Sequence, residues 1–290
     1  MLSPDQIQFY RTQGYLGVEA VFSPAEVAEL RRVTDEFVEK SRAVTASDGV
    51  FDLEPSHTPA QPRLRRLKSP TKQHVVYRQA LTHPKLLAIV SQLIGPNLTF
   101  NGDKLNFKLA DVGSPVEWHQ DWAFYPHTND DLLAVGIAMD DSTLENGCLM
   151  VIPGSHLGPV LDHHQNGHFI GAVTEPDFRA AGAIPIQLKA GGVSIHHVRT
   201  LHGSAPNRSS RARRLLLYQY VAADAWPLVP FDKPWETYVN SLLQGTTTNR
   251  PRVTNVPVQL PLPPAPHGGS IYENQRGLKH TIFGGQPEKM

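Results

Sequence analysis

The segment LTFNGDKLNFKLA, residues 98–110, is where the chain changes texture. From here short apolar runs alternate with Gly, Asn, Asp and Pro: LLAVGIAMDD (132–141), GCLMVIPGSH (147–156), IPIQLKAGGVSIHH (184–197) and RRLLLYQYVAA (213–223). Several short strands punctuated by turn residues point to a sandwich or a barrel. Within LENGCL the Asn146-Gly147 pair favours a hairpin turn. Upstream the texture is helical. SPDQ (3–6) and SPAE (23–26) each read as a capping box with Pro at the first helical position. After the second, Val27, Leu30, Val33, Thr34, Phe37 and Val38 recur at helical spacing to about Lys40. GYLGVEAVF (14–22) has strand character, 41–62 reads as a loop, and a helix from Pro84 to about Leu93 should stop at Gly95-Pro96. Six prolines between Pro251 and Pro266 fit no sheet interior and predict an extended or covering segment. No internal repeat is visible.

At 290 residues, with 40% hydrophobic and 19% charged residues, the chain can bury a sizeable core. Basic and acidic residues balance at 27 each, so no net field steers it to nucleic acid or to an anionic membrane. The one cysteine, Cys148, excludes an intrachain disulfide and a cysteine-rich zinc module; its apolar setting predicts a buried, inert thiol. No run approaches the roughly 18–20 apolar residues of a membrane span, and MLSPDQIQFY is not a signal peptide. A reducing, cytoplasmic setting is expected.

Chemistry enters at EWHQDWAFYP, residues 117–126. In a strand, His119 and Asp121 would share a face, making either an internal hydrogen bond or two-thirds of a metal site. Most of the 14 histidines carry less signal. His163, His164 and His168 lie in a polar stretch and are expected to be solvated. His196 and His197 are neighbours, so at most one should point inward. His156 reads as a turn residue, and His57, His74, His83, His127, His267 and His280 show no spacing pattern. His202 differs, because it ends an apolar run and is followed by an arginine-rich strand start. His-x-Asp with one distant His is the composition of the facial triad that suits Fe(II) and leaves other coordination positions open.

With these residues assembled, the chain resembles the phytanoyl-CoA dioxygenase family of Fe(II)/2-oxoglutarate oxygenases. The matching features are WHQD (118–121), LENGCLMVIPGSH (144–156) and HGSAPNRSSRARR (202–214), with support from LNFK (105–108) and IGPN (94–97). The resemblance covers most of residues 1–225 and not the tail beyond about 230.

The resemblance implies a mainly β fold, a double-stranded β-helix or jelly-roll barrel with flanking helices. One oxygenase domain is expected, with residues 1–97 mostly helical, 98–225 the barrel core and 226–290 a Pro-rich extension. By motif match, His119, Asp121 and His202 are the Fe(II) ligands. Arg213, eleven residues after His202, is the arginine for the far carboxylate of 2-oxoglutarate, with Arg211 the rival on the same strand face. Asn106 and Ser204 match positions that hydrogen-bond the co-substrate, and Lys68 and Lys104 are weaker candidates for the same task. Trp118, Trp122, Phe124 and Tyr125 would form an apolar rim, Trp122, Phe124 and Tyr125 being the candidates for substrate contact, although alternate members could simply be core. Related halogenases replace the acid by a small residue; with Asp121 present, oxygenation by O₂ is expected, yielding succinate, CO₂ and a hydroxylated small organic molecule. An acyl-CoA, a small metabolite and a natural-product intermediate stay open as substrates; Arg63, Arg65, Arg66 and Arg208 could meet coenzyme A phosphates. The alternative is a non-redox barrel, an isomerase, hydrolase or binding module, which would not need Arg213.

Overall fold

The computed structural model describes residues 1–110, 113–229, 234–264 and 270–284. The chain opens with α1 (Pro4–Gln13), β1 (Tyr15–Val18) and α2 (Pro24–Lys40). Both expected capping boxes form: Ser3 and Ser23 accept from the backbone N–H of Gln6 and Glu26, whose side chains accept from the N–H of Ser3 and Ser23. Then come β2 (Phe51–Leu53), β3 (Leu64–Lys68), α3 (Pro70–Gln73), α4 (Val75–Leu81) and α5 (Pro84–Ile94). The last of these ends at Gly95, whose φ of 97° lies where only glycine is comfortable. The barrel strands follow as β4 (Leu98–Lys108), β5 (Val116–His119), β6 (Leu132–Ala138), β7 (Leu149–Val151), β8 (His164–Gln165), β9 (His168–Phe169), β10 (Ile184–Ile186), β11 (Val193–His197), β12 (His202–Ser204) and β13 (Arg213–Ala222). After them come α6 (Trp235–Val239), β14 (Leu242–Gln244) and α7 (Ile271–Asn274).

Two antiparallel sheets face each other. The larger runs β1-β11-β6-β13-β4-β3-β2, with β14 also on β4; the smaller runs β10-β7-β12-β5. This is the jelly-roll arrangement expected. Period-two alternation sorts the side chains of β13: Leu216, Tyr218 and Tyr220 enter the core beneath the helices, while Arg213, Leu215, Leu217 and Gln219 face the barrel interior. Val33 and Phe37 of α2, Tyr77 of α4 and Leu86, Ile89 and Val90 of α5 complete that outer core. The hydroxyls of Tyr218 and Tyr220 donate to the carbonyls of Tyr77 (2.5 Å) and Leu81 (2.7 Å), fastening α4 to the sheet. Truncating a fully buried member such as Leu216 to alanine should cost about 2–5 kcal/mol.

Two expectations are corrected. Residues 41–62 are not all loop: Phe51–Leu53 forms β2, an edge strand too short for its alternation to show among polar neighbours. The strand read at 14–22 forms as β1, and with β2 and β3 it joins the large sheet beside the N-terminal helices. The Asn146-Gly147 turn forms, with Gly147 at φ 74°, but it links β6 to β7, which lie in opposite sheets. The Asn-Gly hairpin is instead β8–β9, where Asn166 and Gly167 both take positive φ (53° and 78°).

Candidate metal centre

His119 is the last residue of β5 and stands directly across the ladder from His202, the first residue of β12. The strand proper ends at His119, and Asp121 begins a short 3-10 turn. Gln120 between them keeps an extended backbone (φ −117°, ψ 127°), so the alternation that places His119 and Asp121 on one side survives one residue past the strand. Gln120 turns the other way, its amide donating to the carbonyls of Pro159 and Arg199. The three residues are buried, and one ligand atom from each lies within 4.8 Å of the others.

The histidine tautomers are set by the backbone. Nδ1 of His119 donates to the Glu117 carbonyl (2.8 Å) and Nδ1 of His202 to the Thr200 carbonyl (2.9 Å), leaving both Nε2 lone pairs free. Those Nε2 atoms lie 3.8 and 3.9 Å from Oδ1 of Asp121. Burial pushes His119 down to about 4 and His202 well below its ordinary value. For Asp121, burial acts upward, but the hydrogen bond with His196 and the facing His202 and Lys104 outweigh it and hold the carboxyl well below its usual range. Two neutral imidazoles and one carboxylate at neutral pH are the donor set a divalent ion requires.

These ligands line a cavity of about 220 Å³ between the sheets. Arg213 lines it too, 2% exposed, with Nη2 donating to the Gly147 carbonyl (2.7 Å) and its buried Nε unpartnered. Asn106 Oδ1 and the Tyr272 hydroxyl are likewise buried without partners and belong to the same cavity. Two of these groups, the Arg213 Nε–H and the Tyr272 hydroxyl, are donors, and they fit a bound carboxylate. Ser204 and Lys104 also line it. Arg211 is exposed, and Arg214 turns outward to Asp140 and Asp35.

Several candidates lie elsewhere. Lys68 donates to the Asp48 carbonyl (2.6 Å), outside the cavity. Trp122 is fully buried in a separate cluster with its Nε1–H on the Pro257 carbonyl (2.7 Å), a core residue rather than a rim. Trp118 stacks on Phe283 on the far side of β5. Phe124 sets its edge against the His119 ring, and the Tyr125 hydroxyl accepts from Gln219 (2.7 Å) and faces Asp121. His163 is not solvated: it is 1% exposed, and its Nε2 accepts the Gln120 N–H (2.9 Å), bracing the metal-ligand turn from behind. His156 is buried in a short turn, as expected of a supporting residue; His267 lies outside the described residues.

Sequence reasoning passed over four contributors. His196 is the inward member of its pair, its Nε2 3.4 Å from Oδ2 of Asp121 and its ring 4.2 Å from that of His202. Its position six residues before His202 at a strand end was the available signal. Lys108, 1% exposed, donates to the carbonyls of Ser114, Ser204 and Ala205, joining the strands that carry His119 and His202. Ile271 and Tyr272 enter the cavity from the C-terminal segment, where no local pattern marks them.

The pattern of the phytanoyl-CoA dioxygenase family matches residues 10–215, which include His119, Asp121, His202 and Arg213. The chain belongs to that family. It is an Fe(II)- and 2-oxoglutarate-dependent dioxygenase. It is 35% identical over 286 residues to a probable alpha-ketoglutarate-dependent hypophosphite dioxygenase of Stutzerimonas stutzeri, covering 96% of this chain and 99% of the relative. The human peroxisomal phytanoyl-CoA dioxygenase is 23% identical, with 77% of this chain and 70% of that protein covered. Among solved structures, the non-heme alpha-ketoglutarate-dependent carbocyclase SnoK of nogalamycin biosynthesis superposes with a TM-score of 0.63 at 26% identity (77% and 85% covered). Iron-bound EctD from S. alaskensis gives a TM-score of 0.66 at 24% identity (81% and 82% covered), a likeness of fold. The non-redox alternative finds no support among these family members. No helix among the described residues is long and apolar enough to cross a membrane.

Proposed function

We propose that His119, Asp121 and His202 hold the Fe(II) of this dioxygenase and that Arg213 binds the far carboxylate of 2-oxoglutarate, with Asn106 and Ser204 beside it. The observation that carries this is the convergence of three ligand atoms within 4.8 Å on the cavity that also holds the half-satisfied Arg213 guanidinium. Iron(II), when bound, supplies the redox chemistry that couples decarboxylation of 2-oxoglutarate to oxygenation of the substrate, one O₂ ending as one oxygen in succinate and one in the product. The chain positions and dries the reactants. Main-chain carbonyls of Glu117 and Thr200 keep both histidines in the ligating tautomer. His196 holds one oxygen of Asp121.

The substrate is small. About 220 Å³ must admit the co-substrate as well, below the roughly 300–1,000 Å³ of pockets for drug-sized ligands, which disfavours enclosing a coenzyme A thioester. Arg65, once a candidate for its phosphates, is taken by Asp52 and Glu273. Hypophosphite, for which the full-length relative is named, is the first compound to try. On this reading the C-terminal segment belongs to the same oxygenase unit, since β14 pairs with β4 and α7 lines the cavity. The lone thiol, Cys148, is buried and pushed up to about 11 by that burial, which makes it inert.

The test is metal content and succinate release. Alanine at 119, 121 or 202 should abolish both tight Fe(II) binding and 2-oxoglutarate turnover while the fold survives by circular dichroism. Retention of stoichiometric iron by any two of the three variants would end the assignment.

A further inference from the structure

The register of the large sheet sorts the cavity into two ends. Inward positions of β4 run Gly102, Lys104, Asn106, Lys108, and their partners on β13 are Gln219, Leu217, Leu215 and Arg213. Lys104 and Lys108 are four residues apart, roughly 13 Å along the strand. Arg213, Asn106 and Lys108 therefore mark one end. At the other, Gln219 pairs with Ala134, and Ala134 with His196, which contacts Asp121. The charges agree: the Lys104 ammonium feels Asp121 and Arg66, whereas Lys108 feels Arg213 and Glu54.

Three observations single out the Lys104 end. Lys104 makes no hydrogen bond and no ion pair among the described residues, although it lines the cavity. The neighbouring Arg66 has Asp52 as partner at 3.5 Å, and Lys108 has its three carbonyls. Gln219 lines the same end, with one amide N–H on the Tyr125 hydroxyl and its oxygen accepting from Asn101. The walls beside Lys104 are Gly102, Ala134, Leu217 and the Gln219 amide.

Charge then sets the sign of what enters. Lys108 apart, whose ammonium is held by three carbonyls, the two positive charges of Fe(II) and the one of Arg213 are balanced by Asp121 and the two carboxylates of 2-oxoglutarate. Asp103, the other carboxylate along this wall, spends Oδ2 on the Thr71 N–H (2.6 Å). Lys104 is left facing the cavity with no side-chain partner of its own and only Asp121 as a nearby opposite charge, an arrangement that favours an entering anion.

We propose that Lys104 is a substrate-recognition residue and that the prime substrate is a small, singly charged oxyanion seated against Lys104, with the Gln219 amide beside it. This rests on the triad and Arg213 reading above. A compact ammonium suits an anion with no preferred plane, in contrast with the planar fork that Arg213 offers a carboxylate.

The test uses Fe(II)-loaded protein without oxygen, first with 2-oxoglutarate alone, followed by its visible metal-to-ligand absorption. Hypophosphite, formate, acetate and the neutral acetamide are then titrated in, with calorimetry alongside. Wild type should bind at least one of the three anions and not acetamide. Lys104→Met should weaken that anion about 30-fold or more while the 2-oxoglutarate absorption still titrates normally, and Lys104→Arg should recover part of the loss. Three results would overturn the proposal: no anion binding to wild type, equal anion binding by Lys104→Met, or loss of 2-oxoglutarate instead of the anion in that variant. Absence of any 2-oxoglutarate-dependent absorption in wild type would be a different failure, removing the co-substrate assignment and the Lys104 role with it.

Discussion

Replacing Arg213 by alanine should raise the dissociation constant for 2-oxoglutarate far more than any exposed arginine can. The guanidinium is 2% exposed, gives one N–H to Gly147 and keeps its Nε buried and unpartnered. A carboxylate arriving there meets a desolvated, oriented donor. Losing one partner of such a pair costs about 2–5 kcal/mol, or roughly 30-fold to several-thousand-fold in affinity. Lys108 lies close but is a poor substitute, because three main-chain carbonyls already hold its ammonium. Arg213→Lys should recover only part, lacking the planar fork. Arg211 is exposed and outside the cavity, so Arg211→Ala should stay near wild type. The assay is an oxygen-free titration of Fe(II)-loaded protein with 2-oxoglutarate by absorption, with circular dichroism to verify the fold, since the variant also frees the Gly147 carbonyl. A change of less than threefold in Arg213→Ala, or a larger loss in Arg211→Ala, would refute the assignment.

His196 should act through Asp121: His196→Ala should weaken Fe(II) binding about 10- to 100-fold, as loss of an outer partner of a metal ligand does, and His196→Gln should restore part of it. Equal iron affinity in both variants would deny the role. Stability should fall in mild acid. His127 and His163 are both pushed down to about 4 by burial, so between the unfolded value near 6.5 and that figure the unfolded chain holds protons the folded one does not. Stability is thus retained above about pH 6.5 and lost as pH falls, by about 2 kcal/mol for each histidine at pH 5. Urea midpoints at pH 7.5 and 5.0 check this, and unchanged midpoints would contradict it.

The barrel was legible because its strands are interrupted by turn residues at short intervals, and the helix starts because Ser-Pro-x-Gln and Ser-Pro-x-Glu write their own caps. His119, Asp121 and His202 were legible as a composition, and the fold supplied the reason they meet: a register that sets His119 opposite His202. What was missed depends on contacts distant in sequence. His163 is 43 residues from the Gln120 N–H it accepts, so its polar neighbours gave the wrong impression of exposure. The aromatic run at 122–125 divides by where each backbone position points after the turn begins, sending Trp122 into the core and Tyr125 toward Asp121. Lys104 was noticed as a lysine near the co-substrate; only the pairing with Leu217, away from Arg213, places it at the other end.

Ile271 and Tyr272 close one side of a cavity whose other walls are barrel strands. Their short helix is moored by Glu273 to Arg65, which also binds Asp52 at 2.7 Å. A little further on, Phe283 lies over Trp118, and the N–H groups of Ile282 and Phe283 rest on the Glu117 carboxylate beside His119. Ile271, Tyr272, Glu273, Ile282 and Phe283 all lie beyond residue 215, where the family pattern stops. The reactive machinery and one of its partitions are thus written in separable stretches of chain. Exchanging Tyr272 for a smaller or larger side chain would alter the size of the chamber without moving a single metal ligand. An enzyme built this way can acquire new clients by editing its terminus while its chemistry is left untouched.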